Sequence, residues 1–463
     1  MKSKAAYTQG SIRQIMCKTA LAMVAGTLAL SGYNLADTYF VGRLPGSSPL
    51  AAMGFTFPAI MLVGCLFRGL IVGVMTTAAQ AIGAKKQKRA ARLVTCGLLM
   101  VFLFSIIMAI LGISTGHIVF QLFGARGDTL ELVKGYMNIW YFGCATGFLA
   151  MAGNDLLIAV GDSKMASCMM ILGMVINVIL DPLFIFGWQF IPAMGIRGAA
   201  VATIISQCIS TVIVLTLLQR RHKLLTWQKI PFDVLFPAWQ HMIRYAIPAC
   251  IGMLMIPLGS SILTRITAEF GDVAVAATAA AGRLEMVAFV VPMSLGMSLM
   301  PFVAQNYGAK LYDRIREGRR FAMRFAFVFL TGAAVIYTLF ADHIVVHFST
   351  VPEVQKLMAE YLRIVSWGLA GVEMHRFSGF FYTGCGRPSM GAFLNGMRMI
   401  GFLVPLSLLA LYFHSLTGLF VARLVTDVVS CIIAYTLARR MTQRLPADGE
   451  VHLTVKTASK SAA

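Results

Sequence analysis

Two carboxylates stand inside long apolar runs with no cation near them. Asp37 lies in YNLADTYFVG and Asp181 in NVILDPLFIFG, with Asn177 four residues before Asp181. Positions four apart share a helix face, so Asn177 and Asp181 point the same way. No Lys or Arg lies within a turn of either acid. A desolvated carboxylate prefers to be protonated or cation-bound, so the pair has the chemistry of a proton or sodium site.

The other ionisable groups in apolar runs divide by spacing. Asp427 follows Arg423 by four residues and Glu373 precedes Arg376 by three, so both read as locally neutralised pairs. Glu285 and Arg283 are two apart and cannot face each other on one helix. Glu285 is therefore a secondary site candidate. Arg68 is a second: it is isolated, and either snorkels or pairs with a distant acid. Arg398 is isolated too.

The elements that hold these groups are bilayer-crossing helices. The chain has 463 residues, 58% of them apolar and 13% charged, and its mean hydropathy is +0.77. A soluble domain is about 25% charged. A crossing helix needs about 20 apolar residues. Twelve such spans are expected near 14–41, 50–78, 92–118, 131–158, 164–188, 195–218, 240–268, 277–305, 319–347, 357–383, 389–413 and 417–439. The fold class is thus an all-α polytopic membrane protein.

The net charge of +20 falls in alternate loops. One side collects Lys2, Lys4, Arg13, Lys85, Lys86, Lys88, Arg89, Lys229, Lys310, Arg314, Arg320, Arg439, Arg440, Lys456 and Lys460. The other holds few, among them Arg43, Arg126 and Lys356. The positive-inside rule places both termini in the cytoplasm and the chain in the cell (inner) membrane. Nucleic-acid binding is not needed to explain the charge.

The chain also repeats itself. AQAIGAK at 79–85 and AQNYGAK at 304–310 lie 225 positions apart, each ending the second span of its half. The copies divide the chain into an N-terminal six-helix lobe (1–218), a linker (219–240), a C-terminal six-helix lobe (241–440) and a polar cytoplasmic tail (441–463). Two pseudo-symmetric bundles imply a cleft whose access alternates as one rocks against the other, as in a secondary transporter. The repeat offers a control: Ile262 stands opposite Asp37 and Val404 opposite Asp181. A bundle can be built without these acids.

Other patterns carry no chemistry. Gly112-Ile113-Ser114-Thr115-Gly116 matches the nucleophile elbow but ends an apolar helix where a strand is required. His343 and His347 read as a solvated helix end. The nine cysteines form no C-x-x-C and behave as small hydrophobes. Gly69-x-x-x-Gly73 and Gly143-x-x-x-Gly147 suit close helix packing. The first apolar run is too long for a signal peptide. No enzyme and no cofactor is expected.

YNLADTYFVGR, INVILDPLFIFG, GIRGAAVATIISQ and GRLE followed by PFVAQNYGA resemble the multidrug and toxic compound extrusion (MATE) family, most closely its DinF-type branch. The resemblance covers nearly the whole chain. It implies the MATE/MOP-type fold of two lobes and export of cationic amphipathic compounds against H+ or Na+. It places the cation site in the N-terminal lobe, at Asp37, Asn177 and Asp181, with Tyr136 matched by spacing and Thr203 in span 6. For Na+ the implied ligands are Asp37, Asn177, Asp181 and Thr203. The family's proline early in span 1 is absent: TALAMV stands there, with Ala22 near the expected place, which argues against a proline-hinged bend. Pro248 is kept in span 7.

The sequence thus predicts a monomeric antiporter whose partners are a small cationic or amphipathic molecule and the lipid bilayer. Its rival is a flippase or exporter of a lipid-linked or anionic substrate on the same fold.

Overall fold

The computed structural model describes residues 5–46, 48–228 and 230–448, with all side chains among them except those of Ser31, Asn34 and Leu35. Lys2, Lys4, Lys229, Lys456 and Lys460, and the expected tail from residue 449 onward, lie outside the described residues.

Helix dominates. The order is α1 (Ile12–Val41), α2 (Ser48–Gly83), α3 (Gln87–Leu122), α4 (Gly127–Val160), α5 (Ser163–Ile185), α6 (Ile196–Arg220), α7 (Phe232–Ala268), α8 (Asp272–Gly308), α9 (Tyr312–Leu339) and the short α10 (Ala341–Val345). Then come α11 (Pro352–Val365), a 3₁₀ turn at Ser366–Gly368, and α12 (Leu369–Gly384). The last passages are α13 (Pro388–Gly396), a π segment at Met397–Leu403, α14 (Val404–Tyr412) and α15 (Leu416–Gln443). Among the described residues 10 helical passages are long and apolar enough to cross a membrane. The 30-residue α1 and the α11–α12 run complete twelve. Leu21, Phe142, Val212, Val328 and Ile432 lie exposed on helix surfaces, as they would against lipid.

Two compact units emerge. The first is built on Leu21–Cys250, the second on Tyr7–Ala20 and the chain from Ile251. The dividing points fall inside α1 and α7.

Small residues set the spacing in each unit. A Cβ added at Gly135, Gly143, Gly147 or Gly153 of α4 would lie 2.2 to 2.4 Å from Arg197, Ile204, Gln207 or Val214 of α6, in that order. Both members of the Gly143–Gly147 pair therefore let α4 touch α6. Gly69 and Gly73 do the same for α2 against α7, where a Cβ would meet the Cys250 Sγ at 2.3 Å and the Met242 carbonyl at 2.5 Å. In the second unit Gly371 of α12 sits so close to α15 that a Cβ would lie 2.6 Å from the Asp427 carbonyl.

The repeat is written into the turns. Left-handed backbone occurs at Gly46 and Gly271 (φ 84° and 95°), Lys85 and Lys310 (58° and 59°), and Gly161 and Gly386 (90° and 83°). Each pair is 225 positions apart. The hydrogen bonds recur too: the Lys86 N–H reaches the Ala81 carbonyl at 3.1 Å, and the Leu311 N–H reaches the Asn306 carbonyl at 2.9 Å. These are helix endings of the kind that satisfy the last free carbonyls.

The segment between α6 and α7, with the first turns of α7, is tied to α3. The Thr226 N–H donates to Thr95 Oγ1 at 3.0 Å, Trp239 Nε1 donates to the Cys96 carbonyl at 2.9 Å, and Gln87 Nε2 donates to the His222 carbonyl at 3.1 Å. Asp162 anchors the same stretch, 3.2 Å from both Arg221 and His222. The His222 hydrogen bond, with the Arg221 charge, holds the Asp162 carboxyl below the usual carboxylate range. The Gly112–Gly116 run lies within α3, where the Ser114 hydroxyl donates to its own helix at the Leu111 carbonyl, 3.0 Å away.

Candidate functional site

The first unit brings α1 alongside α5. A Cβ at Gly26 would meet Met170 Sδ at 2.8 Å and Ser167 Oγ at 2.9 Å, and one at Gly32 would meet Met174 Sδ at 3.0 Å. Contacts advance along both helices together, so α1 and α5 run in the same direction. One or two turns further on, the same register brings Asp37 to Asp181. α1 has no internal proline and continues as one helix through this contact.

Asp37, Asn177 and Asp181 form one cluster. Asn177 Nδ2 donates to Asp181 Oδ1 at 3.1 Å. Asp37 stands beside both side chains. Asn177 and Asp181 are fully buried, and Asp37 is 7% exposed. Asp37 Oδ1, Asn177 Oδ1 and Asp181 Oδ2 are buried acceptors without a hydrogen-bond partner among the described residues. Among the described residues, none of the ion pairs that bind Asp155, Glu285, Glu373 and Asp427 has a counterpart at either acid. Unpartnered buried acceptors are costly and uncommon. A site with three of them, two on carboxylates, suits a proton or a small cation.

Two neutral residues expected from the family resemblance stand beside it. Tyr136 is buried and feels both carboxylates. Thr203 accepts a hydrogen bond from the Tyr33 hydroxyl at 2.9 Å, and Tyr33 also lies in the field of Asp37 and Asp181. Tyr33 was not anticipated, although it stands one turn before Asp37.

Asp37, Tyr33, Tyr136 and Thr203 face a cavity of about 410 Å³ within this unit. Arg68 lines it as well, and it is not isolated: its Nη1 lies 3.0 Å from Asp155 Oδ2 on α4. Asp155 is an intramembrane acid that the sequence reading passed over. Its signal was the one that exposed Asp37, a carboxylate within an apolar run. The remaining wall is aromatic and sulfur-rich. Phe148 stacks on Phe67 at 3.5 Å between centroids and meets the Trp140 edge. Met151, Met169, Met170 and Met174 complete it. Such flexible, polarisable walls adapt to varied ligands.

The second unit handles its acids differently. Glu285 is not free: Arg423 Nη2 lies 2.6 Å from its Oε2, and the Tyr361 hydroxyl donates to its other oxygen. Asp427 is bound by Arg398, the residue expected to be isolated, through Nη2 at 2.6 Å and Nε at 3.0 Å. Its sequence neighbour Arg423 stands back at 4.0 Å. Glu373 pairs with Arg376 as the spacing predicted. Glu285, Tyr361 and Arg423 border a separate cavity of about 310 Å³.

With this geometry established, similarity to known proteins is informative. The MatE family model matches residues 22–183 and again 248–409, one copy per half of the chain. The FAD transporter of Shewanella oneidensis is 31% identical over 452 residues, covering 96% of this chain and 99% of that protein. A probable multidrug resistance protein of Bacillus subtilis is 28% identical over 338 residues, 71% of each chain. The crystal structure of the Vibrio cholerae MATE transporter VcmN in the bent form superposes with a TM-score of 0.87 at 27% identity, covering 93% of this chain and 98% of that one.

Proposed function

The chain belongs to the MatE family, a family of membrane transporters and not of enzymes, and on that premise we propose that it is an antiporter driven by H+ or Na+ bound at Asp37, Asn177 and Asp181. The supporting observation is two carboxylates buried together with free acceptor oxygens and no balancing cation. Occupancy by a cation removes their repulsion and favours conformations in which they stay buried. Tyr136 and Thr203 supply further oxygens, which a hard cation accepts. The substrate occupies the aromatic and methionine-lined cavity next to the acids. Ion and substrate need only prefer different conformational states. The chain works as a monomer in the inner membrane with both termini cytoplasmic.

The test uses proteoliposomes loaded with a fluorescent cationic dye, with a pH gradient or a Na+ gradient imposed separately. One gradient drives dye movement in the wild type. In Asp37→Asn the response falls to that of protein-free vesicles. An unchanged response in that variant overturns the coupling role.

A second reading of the cargo rests on Arg68. It puts a guanidinium in the cavity wall, and the 31%-identical relative is named an FAD transporter. Under this reading a phosphate or carboxylate of the substrate takes the place of Asp155 at Arg68. The double variant Arg68→Gln/Asp155→Asn, which leaves no unpaired charge, then loses FAD transport by at least about tenfold, the value of one charge-assisted hydrogen bond. Cationic-dye transport stays within about twofold. Equal loss of both cargoes counts against an anion role for Arg68.

A further inference from the structure

The start of α9 is densely basic, and its arginines fall into two sets. Arg314, Arg316 and Arg319 are held by protein partners, although the buried Arg319 Nη1 has none among the described residues. Arg314 Nη1 donates to the Gly10 carbonyl at 2.9 Å and Nε to Asn306 Oδ1 at 3.1 Å. Arg316 pairs with Asp313 and also donates to the Pro446 carbonyl at 2.9 Å. Arg319 Nε donates to Thr442 Oγ1 at 3.0 Å. Arg320 and Arg324, four apart, do none of this. With Arg13 from the start of α1 they are exposed, and none has a protein hydrogen bond or ion pair among the described residues.

These three arginines border one groove of about 680 Å³, whose only acid among the described residues is Glu317. Below them the groove is apolar. Phe321, Phe325 and Phe329 follow at intervals of four and stack at 6.3 and 5.7 Å between centroids, with Val328 beside them. Val328 is 69% exposed, so the groove opens outward. The passage from charged to apolar residues along α9 sets the groove at the level where a bilayer changes from headgroups to acyl chains.

We propose that this groove binds one anionic phospholipid. Its phosphate lies among Arg13, Arg320 and Arg324, and one acyl chain follows the Phe321–Phe325–Phe329 stripe. Three cations against one carboxylate select a negative headgroup over a zwitterionic one. Guanidinium groups suit phosphate oxygens by geometry as well as charge. The aromatic stripe requires a ligand with a hydrocarbon tail. Because α1 contributes Arg13, the bound lipid links the starts of α1 and α9 within the second unit.

Native mass spectrometry of the full chain in detergent, titrated with phosphatidylglycerol or phosphatidylcholine, tests this. Phosphatidylglycerol is expected to form a discrete 1:1 adduct at lower concentration than phosphatidylcholine. Each arginine near an anionic lipid contributes about fivefold to binding. The triple variant Arg13→Gln/Arg320→Gln/Arg324→Gln should weaken the adduct on the order of a hundredfold, and the exposed single variant Arg324→Gln about fivefold without altering the melting temperature. Phe325→Ala/Phe329→Ala should weaken it for both lipids. Lys88→Gln/Arg92→Gln, at the equally basic start of α3, should leave it unchanged. Retention of the adduct by the triple variant overturns the site. So does equal weakening by the α3 variant, which would mean general surface charge. Competition by soluble glycerol 3-phosphate as strong as by the lipid would mean a free-anion site and overturns it too.

Discussion

In the first unit Asp37 and Asp181 meet each other and no arginine, whereas in the second Glu285, Glu373 and Asp427 meet Arg423, Arg376 and Arg398 in turn. A buried acid held by an arginine keeps one charge state and one geometry. Its removal leaves an uncompensated ion, at a cost of about 3–5 kcal/mol. A buried acid without such a partner remains sensitive to whatever proton or cation can reach it. The same residue types are thus paired with arginines in one half and left without them at the Asp37–Asp181 cluster in the other. Arg68 and Asp155 show that the first unit also pairs charges, which makes the bareness of Asp37 and Asp181 specific to their cluster.

The largest effect expected from this contrast is functional. Asp37→Asn and Asp181→Asn should each reduce gradient-driven transport to background, while the melting temperature in detergent stays level or rises, because an uncompensated buried acid is removed. A marked fall in melting temperature would align the first cluster with the second. Next comes Arg423→Gln, which strands Glu285. It should destabilise the fold by about 3–5 kcal/mol, and Glu285→Gln in the same chain should restore most of the loss. Transport by the folded fraction of the double variant should remain gradient-driven, and its abolition would move coupling into the second unit.

Gly26→Ala should act more gently. Its methyl meets Met170 and Ser167 below 3 Å, and overpacking of this kind costs about 1–3 kcal/mol. By pushing α1 from α5 it should also weaken ion dependence, read as a rightward shift of the activating cation concentration. An unchanged shift would show that the Asp37–Asp181 approach does not depend on this contact. Smallest is Asp162→Asn. Its partner Arg221 is half exposed, so the pair contributes under about 1 kcal/mol. A depressed carboxyl stabilises above its unfolded pKa and loses that contribution as pH falls through the folded value. Wild-type and variant linkers should therefore differ in protease sensitivity near Arg220–Lys223 at neutral pH and converge in acid. Persistence of the difference in acid would exclude the charge as its source.

What the sequence disclosed follows a physical division. Asp37, Asn177 and Asp181 were legible because polar groups in apolar runs are few and a spacing of four defines a helix face. The Glu373–Arg376 pair was legible because it is local. Arg68–Asp155, Arg398–Asp427 and Arg423–Glu285 were not, since helix packing makes these pairs across 87, 29 and 138 positions. The local rule found only the longer contact of Asp427, to Arg423 at 4.0 Å, because Arg398 arrives from the π segment and binds that carboxylate more closely. Apolar run lengths located all twelve passages but not the 3₁₀ break between α11 and α12 or the π segment.

The left-handed positions at 46 and 271, 85 and 310, and 161 and 386 can be read as a record of descent. A backbone slot with positive φ admits few residues, and filling it badly disturbs the helix ending that depends on it. An ionisable slot carries no such constraint: Ile262 and Val404 show that its occupant can become plain hydrocarbon. After a duplication, stereochemistry is therefore the slow character and charge the fast one. The turns keep what the two halves share, and the acids mark where their sequences differ.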